Sequence, residues 1–148
     1  MRFGLDLLPH RPGRPRTLAD LAARAERRGW DGVFLEDDVF HPDGKDVTTP
    51  WIALAAIALA TERIRLGPDR PAGVGGRHPR RRAPQRADAG AGFDIAVGDR
   101  EPAADREADR AYVGALAQAG ATWWQEWLAP GTPLDDVRAH IDRGPFAI

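Results

Sequence analysis

Three carboxylates, Glu36, Asp37 and Asp38, stand side by side directly after the apolar run Val33, Phe34, Leu35. Like charges in a row repel, so the arrangement is favourable only where the acids face water, bind a cation or hold a polar ligand. Asp37, Asp38, His41 and Asp43 could supply the oxygen-rich ligands that suit Mg²⁺ or Mn²⁺, yet their spacing matches no established ligand loop. The competing reading is a solvated acidic loop that discourages wrong strand pairing. Covalent catalysis has little to work with. The chain contains neither cysteine nor serine, which removes thiolate metal sites, cysteine nucleophiles and serine triads.

Two further groups could carry chemistry. Trp123, Trp124 and Trp127 lie in the run ATWWQEWL, where alternation puts Trp123 and Trp127 on one face and Trp124 with Glu126 on the other. They form either an aromatic wall for a flat ring or ordinary core. Glu126, inside a strand, requires an arginine or a ligand as partner. The basic tract Arg77, Arg80, Arg81, Arg82 and Arg86 could hold polyanions, but without interleaved aromatics it reads as a solvated linker rather than a base-reading surface.

The elements that must position these residues follow a regular cadence. Arg2 to Leu8 reads as a strand, and Thr17 with Asp20 as a capped helix whose face is Leu18, Leu21, Ala22 and Ala25, stopped by Gly29. Asp31 to Asp37 is a second strand. Thr49 and Pro50 open a helix, apolar nearly all round and so expected to be buried on more than one side, and Ile64 to Gly67 is a third strand. From Pro68 to Gly92 the pattern lapses into Arg, Pro and Gly with no means of closing a core. Order returns with a strand at Phe93 to Gly98. A helix from about Asp105 to Ala119 follows, with Ala108, Tyr112, Leu116 and Ala119 on one side, then the tryptophan strand and a last helix after Thr132 and Pro133. Strands alternating with helices over short connections predict parallel βαβ units.

The formal charge of −1 on 148 residues argues against a protein that coats nucleic acid. The longest apolar run, Trp51 to Ala60, is too short to span a bilayer, and no charged-then-apolar leader is visible, so a cytoplasmic location is expected with no membrane partner.

Placed in this order, the stretches MRFGLDLLP, RRGWDGVFLEDD, PWIALAAIALATERIRLGP and AYVGALAQAGATWWQEWLAPGTPLDDVRAHIDRGP resemble the luciferase-like monooxygenase family, flavin- or F420-dependent oxidoreductases on a (β/α)8 barrel. The resemblance covers about residues 1–68 and 93–145. It implies an α/β fold, a partial TIM-barrel-like parallel sheet of about five strands, because a complete barrel has eight and typically about 250 residues. The central βα units are absent from this pattern, so the chain reads as an internally shortened, truncated member. Residues 1–67 are then the opening portion of one barrel-like domain, 68–92 an irregular linker, and 93–148 the closing portion of the same domain. The resemblance implies FMN or F420 as cofactor and a small-molecule substrate. It places Asp37 and Asp38 at the cofactor pocket, although Asp38 stands where the family frequently has histidine. Gly98 and Arg100, after the strand that corresponds to the penultimate one, become candidates for holding the cofactor phosphate through backbone N–H groups. The alternatives are a catalytically silent remnant, an interaction module, and a weak polyanion binder acting through residues 77–86. Two exposed sheet edges predict self-association as a homo-oligomer.

Overall fold

A computed structural model describes residues 1–7, 14–36, 49–69, 94–98, 101–103, 105–129 and 131–148. Among these the elements run β1 (Arg2–Leu7), α1 (Pro15–Arg27), β2 (Gly32–Glu36), α2 (Pro50–Ala60), β3 (Arg65–Asp69), β4 (Ala96–Val97), α3 (Arg106–Gln118), β5 (Trp123–Trp127) and α4 (Leu134–Arg143). The five strands form one parallel sheet in the order β3-β2-β1-β5-β4, curled into a half-barrel with helices flanking it. The strand nearest the end of the chain therefore pairs with the first one, Arg2 opposite Trp123 and Asp6 opposite Trp127. Last-beside-first is how a barrel closes, and here it joins the two ends of the pattern into one sheet.

Strand alternation sorts the side chains. Phe3, Leu5, Leu7, Val33, Leu35 and Trp124 are buried on the convex side, where Phe3 packs edge-to-face on Phe146 and Trp124 on Tyr112. Helices α1, α2 and α4 close that side through Leu18, Leu21, Ala22, Ala25, Ala53, Leu54, Ile57, Val137 and Ile141. Each fully buried Leu or Ile there contributes about 1.5–3 kcal/mol relative to exposure. The positive φ values of Gly29 (88°) and Gly120 (99°) allow the tight exits from α1 and α3 into the following strands.

Several boundaries differ from expectation for identifiable reasons. Helix α1 starts at Pro15 rather than after Thr17: Pro occupies the first turn, where its missing N–H costs nothing, and no side chain caps the helix. β3 runs on through Pro68 to Asp69. It is an edge strand, so the absent amide of Pro68 breaks no ladder. Helix α2 is buried on one side alone. Pro50, Ala53, Leu54 and Ile57 face the core while Trp51, Ile52 and Leu59 are exposed, Leu59 at 92%, because a half-barrel offers this helix one sheet face. In α3 the buried positions are Asp109 and Val113, with Tyr112 at their margin against Trp124. Asp105 caps it by accepting from the Glu107 amide at 2.9 Å.

One side chain fixes the entry to β3. The Glu26 carboxylate at the end of α1 accepts from the amides of Arg63 (2.5 Å), Ile64 (2.7 Å) and Glu62 (3.1 Å). Burial pulls its pKa up, but the three amides outweigh burial and hold it below the usual value.

The concave side is filled at its centre. Phe34 projects from β2 over Gly4, Gly32 and Gly67 of three strands and meets Trp123 edge-to-face at 5.6 Å. A Cβ at Gly32 would lie 2.8 Å from both the Phe34 and the Trp123 rings. Gly32→Ala is accordingly expected to cost about 1–3 kcal/mol in urea denaturation, since overpacking displaces two rings at once. The double variant Gly32→Ala/Phe34→Leu should recover part of that loss, and a Gly32→Ala chain as stable as the parent would show that the cradle has slack.

At the N-terminal ends of the strands the curl brings the two sheet edges into reach. Arg65, leading β3, lies 3.5 Å from Asp94, just before β4, and Arg2 pairs with the same carboxylate. Both guanidiniums lie over the Trp123 ring, at 4.8 and 5.7 Å. Among the described residues no helix is long and apolar enough to cross a membrane.

Candidate functional site

Loops at the C-terminal ends of parallel strands can vary without disturbing the core, so ligands gather there. In this sheet that end is acidic. Alternation and register put Asp6 of β1, Glu36 of β2 and Asp69 of β3 on the concave face, with Glu36 directly opposite Asp69. Trp127 of β5 completes the group. Its indole Nε1–H donates to Glu36 Oε1 at 3.0 Å, a bond that spans the intervening strand β1.

Asp6 and Glu36 are each only 6% exposed, and no hydrogen-bond partner reaches Asp6 Oδ1 among the described residues. Burial pushes the Asp6 carboxyl up to about 8, and the charges of Asp69 and Glu36 push in the same direction. At neutral pH this group therefore holds a proton and can donate as well as accept. The rim and the far end of the sheet have opposite character, acids here and Arg2 with Arg65 there.

Of the residues singled out from sequence, Glu36 stands at this rim, while Asp37, Asp38, His41, Asp43, Arg100 and the tract 77–86 lie outside the described residues. Gly98 is described. A Cβ there would lie 2.6 Å from both the Cβ and the carbonyl oxygen of Gln125, so the close approach of two strands is by itself sufficient reason for glycine. Among the described residues no three acidic or histidine side chains converge as a metal ion would need.

The face of β5 opposite Trp127 carries a second polar group. Glu126 is buried and meets His140 of α4, Oε2 to Nε2, at 2.6 Å. On the other side of the imidazole the Arg143 guanidinium lies 2.7 Å from Nδ1. A guanidinium can only donate, so Nδ1 accepts and the ring proton sits on Nε2, donating to Glu126. This relay borders a cleft of about 200 Å³ lined by Glu101, Trp127, Thr132, Asp136, His140 and Arg143. The partner required by Glu126 is thus a histidine backed by an arginine.

Residues 1–68, which build β1, β2 and β3 as far as Pro68 and so carry Asp6 and Glu36 of the rim, match the luciferase-like monooxygenase family. Over this segment the chain is similar to that family. The chain is also 38% identical over 71 residues to an F420-dependent glucose-6-phosphate dehydrogenase of Nakamurella multipartita, an alignment covering 45% of this chain and 20% of that protein. The chain thus spans about a fifth of the length of the curated relative it matches. No solved structure matches it.

The residues of the rim can be tested against a flavin-type group. An anionic phosphate does not fit beside Asp6, Glu36 and Asp69, because three carboxylates raise the cost of bringing in further negative charge. A flat polar ring edge fits better, since its carbonyls and N–H groups suit a carboxyl that holds a proton and a half-buried indole.

Proposed function

We propose that this chain is a flavin- or F420-dependent oxidoreductase of the luciferase-like type, acting on a small molecule in the cytoplasm. The observation that carries this reading is the family match over the three strands whose C-terminal ends form the acidic rim. A bound FMN or F420 would supply the hydride chemistry. The chain's part is to orient the ring and exclude water, with Asp37 and Asp38 beside the ring and the Gly98 to Arg100 loop holding the phosphate away from Asp6. Residues 1–67 and 93–148 act in this reading as one body joined through 68–92, and the free edges of β3 and β4 are the surfaces through which it self-associates.

Titration with FMN and with F420, followed by thermal melting and cofactor fluorescence, tests the proposal. Saturable micromolar binding is expected, and a hundredfold excess over Kd would add about 2.7 kcal/mol of stability. A cooperative melt unchanged by either cofactor would leave an interaction module as the better reading.

A further inference from the structure

We propose that the rim formed by Asp6, Glu36 and Asp69 binds a primary ammonium group, with the Trp127 indole beside it. Three adjacent strands each contribute one carboxylate to the same end of the concave face. The Asp6 side chain is 94% buried by its 6% exposure, and its Oδ1 has no partner among the described residues, so the cluster contains an acceptor already removed from water and unused. Leaving it so is costly, and a cation is the complement that removes the cost. Among the described residues the charged groups facing Asp6 are Glu36 from β2 and Asp69 from β3, while β5 contributes the neutral indole of Trp127. A metal ion is disfavoured, since among the described residues no set of three ligands converges on a point. An ammonium nitrogen carries three N–H donors that can serve separate acceptors, and an indole adds cation–π attraction. The site also accepts a proton on Asp6, so ammonium and proton compete. This inference goes beyond the cofactor reading and does not depend on it, because a chain that binds no flavin can still take an amine here.

The test is thermal melting in butylammonium chloride, with NaCl and MgCl2 at equal ionic strength, at pH 6 and pH 8.5. Butylammonium is expected to raise Tm beyond NaCl at pH 8.5. Its apparent affinity should weaken by about tenfold for each pH unit below 8. Asp6→Asn should abolish the effect while remaining folded, and Trp127→Phe should weaken it. Equal shifts in butylammonium and NaCl, or a butylammonium shift retained in Asp6→Asn, would overturn the proposal. A larger shift in MgCl2 would overturn it in favour of a metal site.

Discussion

Replacing Asp6 by Asn is expected to stabilise the protein, by an amount that grows with pH. The sign follows from proton linkage. In the unfolded chain Asp6 ionises near 3.8, whereas in the folded chain burial and the neighbouring acids raise that value to about 8. The folded state therefore binds this proton more tightly. The stability it contributes is complete below about pH 4 and is lost as pH rises towards 8. One proton corresponds to about 1.4 kcal/mol per pH unit, hence about 4 kcal/mol between pH 5 and pH 8. Asparagine has nearly the shape of the protonated acid, without a charge to desolvate. Urea denaturation of both proteins across this range should give similar stabilities at pH 5 and a wide gap at pH 8. Glu26, Asp94 and Asp142 have lowered pKa values and act in the opposite direction, gaining stability above the acid range, so the difference between the two proteins is the informative quantity. A difference independent of pH would mean that Asp6 is ionised and solvated in the folded chain.

That Asp6 escapes notice in the sequence has a physical reason. In RFGLDLL it looks like one polar residue in an edge-like alternation, and alternation alone does not say which face water reaches. Its environment depends on Glu36 and Asp69, two strands and 63 residues of chain away in the latter case by numbering (69 − 6). Asp69 is harder still, because Pro68 reads as the end of a strand unless the strand is known to lie at the edge. The parallel sheet is much more legible. Helices Pro15–Arg27 and Arg106–Gln118 each end at a glycine that leads directly into an apolar strand, a local signal that survives without any knowledge of pairing. The two faces of Trp123–Trp127 are equally legible, since a period of two follows from strand geometry. The exposure of α2 is not, because an all-apolar helix does not reveal how many neighbours the fold supplies.

The same strand β5 sets the other large effect, on the opposite face of the sheet. His140→Ala is expected to destabilise the protein by about 1–3 kcal/mol, the range for leaving a buried acceptor without its hydrogen-bond donor. The magnitude comes from what remains rather than from the lost contact. Glu126 is 1% exposed, its Oε1 already lacks a partner among the described residues, and His140 holds its Oε2. Without the imidazole the carboxylate is left in the interior between β5 and α4, where no water replaces the bond at full strength. The Arg143 guanidinium donates to the imidazole ring rather than to Glu126. Restoring apolar surface on both sides tests this account. Glu126→Leu combined with His140→Leu should be far more stable than His140→Ala alone, because a buried polar pair can be exchanged for hydrocarbon of similar volume at little cost. Four denaturation curves, for the parent, Glu126→Leu, His140→Leu and the double variant, give the coupling directly. If the single losses simply add, Glu126 and His140 do not act as a pair, and α4 is held on the sheet by Val137 and Ile141 without them.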